Sequence, residues 1–148
     1  MKINPIKKKF SILSKDQHPK WDKEDINQRI HISEWAVEIE AIVEGIEEFE
    51  FRNLKERFWI TLGTYFCLES PIKVFESGDL WIKFDDSTAF HAQDLNPGDY
   101  TVYVEMMDDD LKLIVSIQKK KTKRPDIMIA DDDDFPNFDI SQKLKISK

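Results

Sequence analysis

Clustered carboxylates are the side chains of this 148-residue chain with the clearest capacity for chemistry. Residues 33–51 contain seven Glu and no Lys or Arg, residues 108–110 are three consecutive Asp, and residues 131–134 are four more. Carboxylates grouped in this way can attract a positively charged partner, coordinate a hard cation such as Ca²⁺, or only keep the protein soluble. Because consecutive Asp side chains point apart and the EF-hand spacing is absent, the sequence favours calcium least.

The two Asp runs favour contact with a basic protein partner. A protein that blocks a phosphate-binding enzyme can place carboxylates where the nucleic acid would lie, and neighbouring aromatic side chains can supply buried contact area. Phe135 and Phe138 follow the second run closely. We therefore predict a partner-binding site made of these residues: Asp108, Asp109, Asp110, Asp131, Asp132, Asp133, Asp134 and Phe135.

The charge balance argues against nucleic acid as the partner. The chain has 22 basic and 29 acidic residues, a net charge of −7, whereas nucleic-acid binders are usually basic. No apolar run approaches the roughly 20 residues that span a bilayer, and the N-terminal residues do not read as a secretory signal. Cys67 is the only cysteine, which excludes an intramolecular disulfide. We expect a cytoplasmic protein that binds neither nucleic acid nor membranes.

The sequence lacks the motifs of the common enzyme classes. It contains no glycine-rich phosphate loop, GxSxG, HExxH or Cys/His metal spacing. His91 lies between Ser87 and Asp94, but such a trio arises often by chance, and a loop or surface histidine is the simpler interpretation. We predict no catalytic residue, no metal ligand and no cofactor, in a protein that is not an enzyme.

A β-hairpin is predicted over residues 99–117, and we expect the sheet to be built around it. Asn96, Pro97 and Gly98 form a turn signal. Residues 99–107 then alternate with a period of two, as in a half-buried strand. One face holds Tyr100, Val102, Val104 and Met106, and the other holds Thr101, Tyr103, Glu105 and Met107. Three Asp separate this run from a second β-rich run at residues 111–117, so the tip carries three carboxylates.

Further strands are predicted on either side of the first acidic stretch. Residues 6–13 fit an edge strand, because lysines such as those at 7–9 discourage pairing with other chains. Residues 21–30 could hold one or two helical turns. Residues 33–44 alternate more cleanly as a strand than as a helix. Residues 57–68 are apolar on both faces, which is typical of a central strand.

The middle of the chain predicts a second hairpin, with strands at residues 72–76 and 80–84 around Ser77, Gly78 and Asp79. A short strand is expected near residues 89–92. Three tryptophans lie in strand patterns and are expected in the core: Trp35, Trp59 and Trp81.

Short strands and frequent turn signals together predict a mainly β protein, a single-domain antiparallel β-sandwich with little helix. The composition changes after Gln118, where a basic block, an acidic block and a basic tail follow one another. We therefore assign residues 1–118 to the sandwich domain and residues 119–148 to a charged C-terminal extension that packs on it or trails from it.

Four short runs stand out when the chain is compared with known families. In the first third these are FSI at residues 10–12, WDKE at residues 21–24 and WAVEIEA at residues 35–41, and later DLNPGDY at residues 94–100. Together they resemble the competence protein J family. Members of this family are small inhibitors that bind a DNA-entry nuclease, and related domains serve beside nuclease toxins as immunity proteins. The resemblance implies an inhibitor of a cognate basic nuclease or toxin domain. The alternative function is a β-sandwich module that binds Ca²⁺ or another ligand.

Overall fold

The computed structural model describes residues 1–21, 29–40, 44–107, 111–130 and 146–147. These residues form eleven strands and no helix. The strands are β1 Lys9–Leu13, β2 Ile30–Ser33, β3 Ala36–Glu40, β4 Glu48–Leu54, β5 Thr64–Val74, β6 Leu80–Phe84, β7 Ser87–Ala92, β8 Gly98–Met107, β9 Lys112–Gln118, β10 Asp126–Ala130 and β11 Ile146–Ser147.

The strands build two sheets that pack face to face. One sheet has the order β11-β2-β3-β1-β6-β7, and the other has the order β10-β5-β8-β9-β4. Neighbouring strands are antiparallel except in the pairs β4–β9 and β11–β2, which are parallel. The prediction of a mainly β sandwich is confirmed.

The predicted hairpin is present as β8 and β9, with β5 and β4 on its two sides. Val102 pairs with Ile117, Val104 with Val115 and Met106 with Leu113. These side chains are buried between the sheets, because alternate residues of a strand point to the same face. The central position predicted for this pair is therefore confirmed, while the three Asp of the tip lie outside the described residues.

The opposite sheet supplies the second half of the core through the same alternation. Phe10 and Ile12 of β1, Val37 and Ile39 of β3, and Ile82 of β6 are all fully buried. The prediction of a strand within residues 33–44 is confirmed for residues 36–40, and residues 41–43 lie outside the description. The helical turns predicted at residues 21–30 fall mostly on residues 22–28, which also lie outside it. The short strand predicted near residues 89–92 is the end of β7.

The prediction that residues 6–13 form an edge strand is wrong. β1 pairs with β3 on one side and β6 on the other, so it is an interior strand of its sheet. Lys7 and Lys8 precede the strand, and their backbone N–H groups donate to the carboxylate of Asp85. Lysines before a strand therefore do not show that the strand is an edge, because strands pair through backbone N–H and C=O groups.

The second predicted hairpin is also wrong, although both of its strands exist. β5 and β6 belong to different sheets, so residues 75–79 carry the chain from one layer to the other. Within this crossover, Gly78 has φ +69°, its N–H donates to the carbonyl of Phe75, and its own carbonyl accepts from Leu95 N–H at 3.1 Å. A tight turn has the same sequence signal whether the following strand pairs in the same sheet or in the next one.

The expected burial of three tryptophans in the core is not observed. Residues 57–63 are not part of a strand, β5 begins only at Thr64, and Trp59 is 72% exposed. Trp81 is half-buried on the outer side of β6, and Trp35 is half-buried in the connection between β2 and β3. The run at residues 57–68 is therefore half strand and half connecting segment.

The C-terminal residues that the structure describes take part in both sheets. β10 pairs with β5 at one edge of the five-stranded sheet, and β11 pairs with β2 at one edge of the six-stranded sheet. Across the described residues, no helix is long and apolar enough to cross a membrane.

Replacing Gly78 by Ala tests the crossover. A Cβ at this position would lie 2.3 Å from the backbone oxygen of Leu95, and the positive φ adds strain. We expect the free energy of unfolding to fall by about 3 kcal/mol. Gly45→Ala is the matched control, because Gly45 also has a positive φ but open space around it; it should cost about 1 kcal/mol. Equal losses in urea titrations of the two variants would contradict the close packing at Gly78.

Candidate functional site

A strap, defined here as residues 55–63, crosses the outer face of the five-stranded sheet. It joins the end of β4 to the start of β5, and these lie at opposite ends of the sheet because Leu54 pairs with Gln118 whereas Thr64 pairs with Met107. At its start, the Gln118 side-chain amide donates to the carbonyl of Glu56 at 2.7 Å. At its end, Gly63 has φ +93°, which ends the strap and lets the ladder of β5 begin.

The strap is packed onto the sheet by an aromatic pair. The ring of Phe58 stacks on Tyr103 of β8, with 3.9 Å between the ring centroids and 8° between the planes. Tyr103 is fully buried as a result, although it points away from the sandwich core. The outer face of the hairpin, which we expected to face solvent, is therefore covered.

Glu105 binds the far end of the strap. Its side chain is fully buried, and its Oε2 accepts hydrogen bonds from the Thr61 backbone N–H at 2.7 Å and from the Thr64 hydroxyl at 3.1 Å. The other carboxylate oxygen, Oε1, is buried and has no hydrogen-bond partner within the described part of the chain. A strand carboxylate thus supplies the polar contacts that hold residues 61–64 down.

The outward side of the strap is apolar and exposed. Trp59 is 72% exposed, Leu62 is 95% exposed and Ile60 is 37% exposed. The Arg57 guanidinium lies over the Trp59 ring at 4.8 Å from its centroid. Large apolar side chains grouped on a surface mark interaction sites, and Trp and Arg are the residue types most enriched at the energetic centres of protein interfaces.

The strap ends at the end of the sheet from which both Asp runs continue along the chain. Met107 pairs with Thr64, and Ala130 pairs with Phe66 two residues further into β5. In the sequence, Met107 is followed by Asp108, Asp109 and Asp110, and Ala130 is followed by Asp131, Asp132, Asp133, Asp134 and Phe135. All eight predicted partner-binding residues lie outside the described residues, but their chain neighbours share one end, which we name the hairpin end.

The charge of the described residues is balanced. They contain equal numbers of acidic and basic side chains, so the whole excess of seven negative charges belongs to residues outside the description. The basic residues at 119–124 connect the end of β9 to the start of β10, at the end of the sheet away from the hairpin end. The folded body therefore contributes no net attraction for a basic partner.

The Glu-rich stretch at residues 33–51 is partly compensated, since three of its seven Glu residues are paired with Lys or Arg among the described residues. Glu38 is buried and accepts from Ser11, Lys9 and the Trp21 indole. Glu50 is paired with both Lys112 and Arg52, and binding to Arg52 holds the pKa of Glu50 below its ordinary value. An ion pair also joins Glu34 to Lys73, and His31 Nε2 lies 3.8 Å from a carboxylate oxygen of Glu40.

His91 has neighbours other than the serine and aspartate near it in sequence. Ser87 lies four residues away on the same strand, a separation of about 13 Å. The His91 ring instead stacks on Trp81 at 4.5 Å, and its Nε2 lies 3.5 Å from a carboxylate oxygen of Asp79. The structure does not bring Ser87 and His91 together into a catalytic pair.

No group of His, Cys, Asp or Glu side chains suited to hold a metal ion occurs in the described ranges. Cys67 is buried on the outer face of β5, where its Sγ lies 3.9 Å from the Sδ of Met128. Burial, with the nearby Glu105 and Glu69 carboxylates, raises the pKa of the Cys67 thiol to about 12. The same thiol is therefore protonated and poorly reactive at neutral pH.

The sequence pattern did not identify the strap as part of the surface. The run at residues 57–68 is longer than the usual strand of about five or six residues, and Gly63 interrupts it. These two signals together indicated a boundary at Gly63. Nothing in the pattern indicated that Glu105 is buried, since an alternating strand predicts a solvated outer face.

The pH dependence of stability tests the covered outer face. Burial, with Glu69 nearby, raises the pKa of Tyr103 from 10.0 to about 12, and the pKa of Cys67 rises from 9.0 to about 12. Well below pH 9 both groups stay protonated in the folded and unfolded chain. As the pH rises through 9 and toward 12, the unfolded chain releases protons that the folded chain keeps, so stability falls.

We expect urea titrations of Cys67→Ala and Tyr103→Phe to show a shallower loss of stability over this range, by up to one proton for each variant. Ser116→Ala is the control, because Ser116 is buried on the same face and does not titrate there. Slopes identical to that of the unaltered protein would mean that solvent reaches this face.

No protein-family model, curated protein or solved structure matches this chain.

Proposed function

We propose that this protein is an inhibitor or immunity protein that binds a cognate basic nuclease or toxin domain in the cytoplasm and performs no catalysis. One observation carries the proposal. Trp59 and Leu62 are exposed on a strap that finishes at the hairpin end, where the chain continues into Asp108–Asp110 and into Asp131–Asp134. An apolar anchor beside carboxylates is the composition expected of a site for a basic protein.

The two kinds of residue have separate roles in this proposal. Trp59 and Leu62 become buried on binding and supply most of the affinity, because a few large side chains dominate most interfaces. The aspartates attract the basic partner over a distance of about 10 Å and increase the association rate. A stable complex of this type buries about 1,600 Å² in total.

The choice of a nuclease as the partner is supported by two considerations. The short runs that resemble the competence protein J family imply a nuclease inhibitor. In addition, a nuclease surface is built to bind phosphates, and a row of carboxylates presents a similar charge pattern. Since the folded body has balanced charge, the attraction in this proposal depends on the aspartate runs.

Replacing the exposed anchors tests the proposal. Trp59→Ala should weaken inhibition about 30-fold, as for a residue that contributes about 2 kcal/mol, and Leu62→Ala should weaken it about 5-fold. Both side chains are largely exposed, so the melting temperature should hardly change. DNA hydrolysis is measured while the protein is titrated into basic nucleases, beginning with the product of the adjacent gene. Ile146→Ala is the control, because Ile146 is exposed on the other sheet.

Two outcomes would contradict this proposal. Full-strength inhibition by Trp59→Ala would remove the strap from the interface. If none of the nucleases is inhibited and sedimentation shows a dimer that Trp59→Ala dissociates, the strap is a self-association surface and the proposed function is wrong.

Removing the charges of the second aspartate run tests separately whether the aspartates increase the association rate. Changing Asp131, Asp132, Asp133 and Asp134 to Asn should slow association with the inhibited nuclease about tenfold at low salt and flatten its salt dependence, with little change in the dissociation rate. The measurement is stopped-flow binding at several ionic strengths.

A control variant makes the same change of charge elsewhere. Four exposed carboxylates outside the strap and away from the hairpin end are suited to it: Glu76, Asp94, Asp99 and Asp126. Their replacement by Gln or Asn should reduce the association rate much less. Equal effects of the two quadruple variants would show that net charge, and not a directed site, governs the encounter.

A further inference from the structure

Among the described residues, a small set of contacts joins the strap to the sheet. Residues 55–63 form no strand, and the contacts are the Glu56 carbonyl bound by Gln118, the Phe58 ring on Tyr103, the Thr61 carbonyl bound by Thr64 N–H, and the two hydrogen bonds to Glu105. Phe58 precedes Trp59 in the chain, and Thr61 precedes Leu62. The two exposed anchors are therefore each held by an immediate neighbour that binds the sheet.

Holding the strap through the buried Glu105 side chain has an energetic cost. The carboxylate is fully buried, and within the described residues it lies within 4 Å of no Lys, Arg or His nitrogen. Its Oε1 is buried without a partner there, and its neighbours across the strands are Cys67 and Ile114. An apolar side chain at this position would avoid the cost of burying a polar group that is incompletely paired.

We propose that Glu105 is the positioning residue that holds the strap in the conformation that presents Trp59 and Leu62 to the partner, an inference that rests on the proposed function for its consequence in binding. The carboxylate oxygen Oε2 accepts from donors on both sides of Leu62, namely Thr61 N–H and the Thr64 hydroxyl. Hydrogen bonds in a buried site are electrostatically stronger than the same bonds in water.

This role makes binding affinity depend on the order of the strap. If the strap is fixed before the encounter, the partner does not have to immobilise it, and less affinity is lost to ordering. If the bonds to Glu105 are removed, only a fraction of molecules has the binding conformation, and the apparent dissociation constant rises in inverse proportion to that fraction. Glu105 itself does not touch the partner in this arrangement.

The first experiment needs no partner. Amide hydrogen exchange of Thr61 is measured in the free protein and compared with that of Val104 and Val115 in the core hairpin. Glu105→Ala and Thr64→Val should speed exchange at Thr61, Glu105→Ala by about tenfold or more, with a smaller change in the core. Thr64→Ser keeps the hydroxyl and Glu105→Gln keeps an acceptor oxygen, so both should retain most of the protection.

The outcomes are distinct. Unchanged exchange at Thr61 in Glu105→Ala, or acceleration in step with the core amides, would overturn the positioning role. If Glu105→Ala does not fold, the comparison of Thr64→Val with Thr64→Ser decides the same question. Val removes the hydroxyl that donates to Glu105, whereas Ser keeps it.

The second experiment uses an inhibited nuclease. Glu105→Ala should weaken inhibition about tenfold, and combining it with Trp59→Ala should weaken inhibition by less than the product of the two separate effects, because both changes remove the same anchor. Wild-type inhibition by Glu105→Ala would overturn the proposal even where Trp59→Ala is impaired. Failure of the unaltered protein to inhibit any nuclease would overturn the proposed function alone, while the exchange result at Thr61 would still stand or fall by itself.

Discussion

The central hairpin β8–β9 is covered on both of its faces, and the rest of the molecule is arranged around this constraint. Its inner face packs against the six-stranded sheet, and its outer face lies under the strap. A strand pair buried on one face only would leave Tyr103 and Glu105 in water. Here the strap excludes water from them, and their polar groups must find partners within the protein.

The strap that covers the hairpin exposes large apolar side chains on its outward side. Phe58 and Thr61 face the sheet, so Trp59 and Leu62 face outward. Within the described residues, Oε1 of the buried Glu105 has no hydrogen-bond partner, and burying such a group costs stability. The structure thus combines a costly interior group with an exposed apolar surface on the strap.

The charges have a direction along the five-stranded sheet. Basic residues at 119–124 form the turn at one end, and the chain continues into the two aspartate runs from the other end. In the first acidic stretch, three Glu residues are paired with lysines, namely Glu34, Glu38 and Glu50. The proposed complex relies on the difference between the two ends together with the apolar strap.

The fold class and the central hairpin were predictable from the sequence, because a period of two and a turn signal are local properties that the pleated backbone imposes directly. The interior position of β1, the crossover at Gly78 and the exposure of Trp59 were not, because they depend on which segments pair. An apolar run has the same sequence pattern whether it forms a strand within a sheet or a segment that crosses the outer face of the sheet. The aspartate runs were also apparent in the sequence, but the exposed strap was not. Trp59 and Leu62 are exposed on a segment whose Thr61 N–H donates to Glu105, more than forty residues further along the chain, and no local pattern carries information about a contact of that range.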